Sequence, residues 1–316
     1  MGIITSSSFA KALWPGVNSW YGKAYDELPV KYTEMFDTFK STRAYEEDVG
    51  ITSFGLARIK PEGQAIDYDT ESQAFITRYM HVVYALGFVM TREIVEDDQY
   101  DVVGQRRARG LAFSMRQTKE IVAANVYNRA FTSGYNGGDG VTMINSSHPN
   151  FSGGIQSNQP TSSTAALSEA ALEQAIIDMG KWTNDRGLRI AVRPTKLIVP
   201  VDLEFEAGRI LGTPYRPSMS TNKNTGAAFT FAANDVNQIY ANSRIPEGVF
   251  VNNYLTSTTA WFLRTDVKDG LKHFERRDME FAIDNDFETE NAKFKATERY
   301  SFGWTDYRSI YGCQGS

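Results

Sequence analysis

Apolar and polar positions alternate along an extended stretch from Gly50 to Tyr79, and the period then changes. Ile51, Phe54, Leu56 and Ile59 lead into Lys60-Pro61-Glu62-Gly63, and Ile66, Tyr68, Phe75, Ile76 and Tyr79 lead out. Proline presets φ and glycine accepts positive φ, so this tetrapeptide is turn chemistry and the two arms predict a β-hairpin within 45–83. The return arm is poor in apolar residues and carries Asp67, Asp69 and Glu71. A two-stranded hairpin with so little core is marginal alone in water and needs a partner surface. Arg58 and Lys60 face three acids, across the hairpin or between chains, each exposed pair contributing under about 1 kcal/mol.

The run His81–Met90 is apolar enough to predict a buried strand. After Glu96-Asp97-Asp98 the period becomes helical, with Asp97 or Asp98 as cap. Tyr100, Val103, Arg107, Leu111, Met115, Thr118, Val122, Val126 and Ala130 step by three or four in one stripe. No proline interrupts residues 97–132, so a helix of about 35 residues and about 50 Å is expected. Gly104 and Gly110 weaken it by about 1 kcal/mol each relative to alanine. Arg106, Arg107, Arg109 and Arg116 are expected to form its basic side.

Residues 133–165 read as a long glycine-rich loop with a brief strand at Met143-Ile144. Ser168 opens a helix with Leu172, Ile176, Met179 and Trp182 inward, and Asn184 and Gly187 end it. Pro194–Pro200 predicts a short buried strand, followed at Asp202 by a helix to Gly212. Val236–Ala241, Val249–Asn253 and Trp261–Arg264 predict strands, and the alternation from Phe274 to Ile310 predicts long strands with one wet face. In the first 44 residues Ser6, Ser7 or Ser8 is placed to cap a short helix that Pro15-Gly16 interrupts. Trp14, Trp20 and Tyr21 follow, and two readings stand for them: folding back onto their own core, or docking on a neighbouring subunit.

The length of 316 residues allows one large domain or two modest ones. A net charge of −5 carries no basic footprint for nucleic-acid binding. The single cysteine, Cys313, makes no intramolecular disulfide and no cysteine metal site. No apolar stretch approaches the roughly 20 residues of a membrane span, and the N-terminus lacks a signal-peptide core. Gly2 and Ser6 match the short myristoylation pattern, a weak signal. The three histidines, His81, His148 and His273, show no metal spacing and read as structural. No phosphate loop or nucleophile elbow occurs. Asp284–Glu290 resembles the opening of a calcium loop but lacks its glycine and final glutamate, so a solvated turn is the better reading. No catalytic residue, cofactor or metal is expected.

This succession resembles the major capsid proteins of tailed bacteriophages, with their Hong Kong 97-type fold, and more narrowly the Mu-like major head subunit family. The residues that carry the likeness are Thr91-Arg92-Glu93 with Glu96-Asp97-Asp98, then Ser147-His148-Pro149, Leu188-Arg189 and Arg193–Pro200. The order and spacing of elements match over roughly 50–212, about half the chain. The resemblance implies an α+β fold: an arm (1–50), an extended hairpin loop (51–83) and a peripheral domain (84–165) whose spine helix is 97–132. An axial mixed α/β domain (166–270) and C-terminal strands returning to the peripheral domain (271–316) complete it. It implies a non-enzymatic head protein whose copies form pentamers and hexamers of an icosahedral shell. That shell encloses double-stranded DNA without reading its sequence, in a virion assembled in the host cytoplasm, with portal, scaffold or decoration proteins as further partners and no membrane. Contacts between subunits are expected at the loop tip, Arg58, Lys60, Pro61, Glu62, Gly63 and Asp67, and at the arm residues Trp14, Trp20 and Tyr21. No Lys60 crosslink is expected, because no partner asparagine or assisting acid matches. A scaffold would be a separate protein or one already removed. Two rivals remain at this point: a nanocompartment shell of the same fold, and a soluble hydrolase.

Overall fold

The computed structural model describes residues 19–91, 93, 100–151, 153–162, 164–215, 219–220, 230–231, 236–286 and 291–316. In chain order, helix α1 (residues 19–27) precedes β1 (Asp37–Lys40), β2 (Tyr45–Ile51), β3 (Gln73–Met80) and β4 (Val82–Met90). Helix α2 (Tyr100–Asn128) leads to the short β5 (His148–Pro149) and β6 (Ile155–Gln156), α3 (Glu169–Gly180), β7 (Pro194–Val199) and α4 (Glu204–Gly212). There follow β8 (Met219–Ser220), β9 (Thr230–Phe231), α5 (Gln238–Ala241), β10 (Val249–Val251) and β11 (Trp261–Thr265). The chain ends with β12 (Leu271–Asn285), β13 (Ala292–Trp304) and β14 (Ile310–Cys313). It divides into two compact units. One comprises Met1–Glu46, Arg78–Val126 and Lys272–Gly303, the other Glu47–Thr77, Tyr127–Leu271 and Trp304–Ser316.

In the first unit a sheet runs β1-β12-β13-β4. β1 lies parallel to β12 and β4 antiparallel to β13. One face of β13 presents Phe294, Ala296, Glu298 and Tyr300, all buried, while Lys293 and Lys295 on the other are exposed. That alternation is the two-residue period of a half-covered sheet. Tyr21 and Tyr25 of α1 and Ala108, Leu111, Ala112 and Met115 of α2 pack with Phe281 and Phe294 in one core.

The buried stripe of α2 is Ala108, Leu111, Ala112, Met115, Lys119, Ala123 and Ala124, turned from the predicted one. Leu111 and Met115 belong to both, and Ala130, just past the helix end, is buried as expected, but Val103, Thr118, Val122 and Val126 are only half-buried and Arg107 is exposed. Alanines form the stripe's centre because they let the helix axis approach its neighbours closely. Arg116, expected on a basic exposed side, is buried instead. Its guanidinium lies 3.9 Å from the Tyr25 ring centre and donates to the Tyr25 carbonyl at 3.2 Å.

A buried ionic cluster sits in this unit. Lys119 Nζ is 3.0 Å from Glu275 Oε1 and 3.5 Å from Glu298 Oε2. The Tyr25 hydroxyl donates to Glu298 Oε1 at 2.6 Å. Burial opposes the Lys119 charge, but Glu298, Tyr32 and Glu275 outweigh it and raise its pKa. His273 is fully buried, stacked on Phe302 with ring centres 4.3 Å apart. Burial, helped by repulsion from Lys119, pushes its pKa down to about 3. The unfolded chain takes up that proton near pH 6.5 and the folded one only near pH 3. His273 therefore subtracts nothing above pH 6.5, and stability falls by up to about 1.4 kcal/mol per pH unit on acidification through that window. Urea midpoints measured from pH 7 to pH 4 should decline less steeply in His273→Phe than in the parent.

In the second unit the sheet order is β10-β7-β11-β14. β10 runs parallel to β7, and β11 antiparallel to both β7 and β14. Helices α3 and α4 supply Leu172, Ala175, Met179, Ala207 and Ile210 to the core against Leu197, Val199, Trp261, Leu263 and Tyr311. Ser168 caps α3, its hydroxyl accepting from the Ala171 N–H. On β11, Phe262 instead meets the rings of Tyr127 and Phe131. Both faces are thus covered, which is why Leu197, Ile198 and Val199 are continuously buried. Cys313, on β14, is buried with its thiol 3.2 Å from the Ala165 carbonyl.

Several expectations are corrected. His81–Met90 is a strand except at His81, but Val82, Val83, Leu86 and Val89 are exposed, because β4 is the edge of its sheet. Val236–Ala241 is not a strand: Asn237 accepts from the Ile239 and Tyr240 N–H groups and caps a short helix there. Met143-Ile144 forms no strand, and both side chains are buried in the core. The hairpin ladder occupies only its base, β2 and β3, so residues 52–72 extend without strand pairing. The cap candidates Asp97 and Asp98, and the arm residue Trp14, lie outside the described residues.

Candidate functional site

The feature best suited to engage another molecule is the loop 52–72. At its base, the Thr52 N–H donates to the Ser72 carbonyl at 2.9 Å and the Ser72 N–H to the Thr52 hydroxyl at 2.9 Å. Glycine at 50 lets the strands close there, since a Cβ would lie 3.3 Å from that of Ala74. Beyond Ser72 side chains replace the ladder. Asp69 Oδ2 accepts from the Gly55 N–H at 2.7 Å, and these bonds hold the carboxyl below its usual range. Nearer the tip, Arg58 Nη1 lies 3.6 Å from Asp67 Oδ2. The Gln64 N–H donates to the Pro61 carbonyl, and Gly63 takes φ 76°, the left-handed geometry that turn needs.

Ile59 is 95% exposed, Tyr68 87% and Leu56 78%, with Phe54 and Ile66 also largely exposed. Apolar side chains held in water on a thin projection mark a surface awaiting cover. Of the residues expected at the tip, Arg58, Lys60, Pro61, Glu62, Gly63 and Asp67 are all exposed, and Arg58 and Asp67 are already paired within the chain. Of the expected arm contacts, Tyr21 is fully buried, its ring 4.8 Å from that of Phe281, and Trp20 packs at the edge of the same core. The contact that Tyr21 makes is internal.

Buried polar groups elsewhere serve the fold. His148 Nδ1 lies 2.6 Å from Asp139 Oδ2 and Nε2 3.2 Å from Asn158 Oδ1, and the ring stacks on Tyr307 at 4.1 Å. His148 is fully buried, so this Asp–His pair has no face for a substrate. Its structural weight exceeds what the sequence suggested: His148→Ala strands a buried carboxylate and should cost about 2 kcal/mol, read as a lowered urea midpoint. An open cleft of about 520 Å³ is lined by Ser146, Ser157, Thr161, Asp178, Lys181 and Trp182 among others. Its ionisable groups, Asp178 and Lys181, approach each other at 4.0 Å. No cluster of metal-ligating side chains occurs among the described residues. Asp286, in the calcium-like segment, pairs with Lys293 at 2.7 Å, and residues 287–290 lie outside the described residues. No helix among the described residues is long and apolar enough to cross a membrane.

Two groups of functional weight escaped the sequence. The Lys119–Glu275–Glu298 cluster joins residues far apart in the chain. Arg186 reaches Asp69 and Thr70 from a turn that the sequence marked only as the end of a helix.

Comparison with known proteins resolves the class. Residues 76–312 match the family described as phage capsid protein. The chain belongs to this family. Among solved structures, the capsid of an empty GTA particle aligns with a TM-score of 0.51 at 13% identity, covering 92% of this chain and 91% of that one. The capsid of a native GTA particle gives 0.50, 13%, 92% and 91%. A virus-like particle from Pyrococcus furiosus gives 0.49 at 9% identity, over 95% and 98%. No curated protein matches. The fold is the α+β fold of tailed-phage major capsid proteins, the Hong Kong 97-type expected from sequence, and the capsid protein's role is structural.

Proposed function

We propose that this capsid protein self-assembles into an icosahedral shell of pentamers and hexamers that encloses double-stranded DNA, and that loop 52–72 is a principal contact between copies. The carrying observation is the loop itself. Leu56, Ile59 and Tyr68 stand almost wholly in water, and full burial of such side chains contributes roughly 1.5–3 kcal/mol each. Only another molecule can cover them, and in a closed symmetric shell that molecule is a second copy. Membership of the capsid family supports the same reading. The half-exposed apolar residues of β4 offer a second strip of surface for neighbours. In this reading residues 51–83 are the extended loop, α2 is the spine of the peripheral domain, and 166–270 form the axial domain. The exposed tip residues Arg58, Lys60, Glu62 and Asp67 set the contact's polarity, with Trp14 and Trp20 contributing from the arm. With a net charge of −5, the wall confines DNA without reading it. Shells form in the host cytoplasm, and portal, scaffold or decoration proteins join there.

Sedimentation and negative-stain microscopy of the purified protein test this. Megadalton closed particles are expected. A stable globular monomer at all concentrations and salt conditions overturns it.

A further inference from the structure

We infer that Arg186 is a positioning residue that fixes the direction in which loop 52–72 leaves the subunit; this rests on reading the loop as a contact between copies. The strand ladder of the hairpin ends at Thr52 and Ser72. Beyond that point two flexible arms would separate, and what joins them is Asp69, which receives the Gly55 N–H from the opposite arm. Arg186 then locks Asp69 in place. Its Nη1 lies 3.0 Å from both Oδ1 and Oδ2, and its Nη2 donates to the Thr70 carbonyl. One guanidinium thus spans a side chain and the adjoining backbone, a geometry that its planar fork satisfies and an ammonium does not.

The base from which Arg186 reaches is rigid. Asn184 Oδ1 accepts from the N–H groups of Arg186 and Leu188, at 3.0 and 2.9 Å. The Gly187 N–H donates to the Asn184 carbonyl, with Gly187 at φ 79°. This turn is pinned from below by the buried Arg308, which donates to the Thr183 carbonyl at 3.1 Å and to Asp185 Oδ1 at 3.0 Å. A continuous path of hydrogen bonds therefore runs from the segment leading into β14, through Arg308 and the turn, to Arg186 and the root of the loop. The tip beyond has its own ion pair in Arg58 and Asp67, which leaves Gly55 and Asp69 as the place where the loop would pivot. Holding that pivot spares the loop from searching orientations at each encounter with a neighbour, and pre-organisation of this kind speeds productive association.

The test compares the parent, Arg186→Ala, Arg186→Lys and Asp69→Asn. Amide exchange is followed on unassembled subunit isolated by sedimentation, alongside particle formation by light scattering and thermal midpoints. Because the pair is partly exposed, midpoints should stay within about 2 °C. In Arg186→Ala, exchange over residues 53–56 and 69–72 should rise about fivefold, as for loss of roughly 1 kcal/mol of local protection, with assembly slowed to a similar degree. Arg186→Lys should fall between, and Asp69→Asn should reproduce the effect should Arg186→Ala not fold. Parent-like exchange and assembly in Arg186→Ala and Asp69→Asn overturn the inference. Subunits lacking residues 57–66 separate the two ideas. If they form shells normally, the loop is no assembly contact, and exchange in the full-length variants alone then decides whether Arg186 holds its root.

Discussion

Deleting residues 57–66 is expected to leave a folded subunit that forms few particles or none. The segment carries Arg58, Ile59, the turn and Ile66, and touches neither hydrophobic core. Ile59 is the most exposed large apolar side chain among the described residues, so its removal costs the isolated subunit nothing in packing. In a shell the loss recurs in every copy. Each subunit of a shell engages several neighbours at once, so even about 2–3 kcal/mol removed per contact compounds around a ring and shifts the concentration needed for closure by orders of magnitude. Retained far-ultraviolet circular dichroism with absent particles in the microscope is the expected pair of results. Particles at parental yield would show that the contacts lie elsewhere.

Lys119→Ala is expected to act on the opposite link, folding before assembly. It leaves Glu298, which is 1% exposed, without its cationic neighbour, and removes the ammonium that sits between the rings of Tyr32 and Tyr300. Breaking a buried ion pair from one side costs about 3–5 kcal/mol, a large part of the 5–15 kcal/mol that holds an ordinary domain together. Urea unfolding should show the loss directly, and much of the protein should be insoluble at 37 °C. Pairing Lys119→Met with Glu298→Gln removes both charges and should recover part of the deficit. If the single variant unfolds at the parental midpoint, the cluster contributes nothing net to stability.

These two sites were unequally legible from sequence. The loop announced itself through local chemistry: Pro61 and Gly63 make a turn wherever they stand, and the acids of the return arm make a poor core. The ionic cluster was invisible, because Lys119, Glu275 and Glu298 meet only when α2 lies across β12 and β13. The same division holds elsewhere. Pro194–Val199 and Trp261–Thr265 were readable as strands since both faces are covered there, so Leu197–Val199 and Trp261–Leu263 run apolar without alternation. The strand after His81 was readable as a strand but not as an edge, for apolar residues look alike whether a neighbouring layer or a neighbouring molecule covers them. In α2 the period was right and the face only partly so, with Leu111 and Met115 inward as expected. Bulky valines suggested the inner stripe, whereas alanines occupy it because they allow close approach. At Val236–Ala241 a run of β-compatible residues yielded to Asn237, whose side chain captures two backbone N–H groups.

The seclusion of Cys313 has a practical consequence. It is the chain's only thiol, and burial both shields it and raises its pKa, so little thiolate meets solvent. The parent protein is therefore a blank background for maleimide chemistry. A cysteine placed at Lys60 would be the one reactive handle per copy, letting a fluorophore report the moment when each projection passes from water into contact.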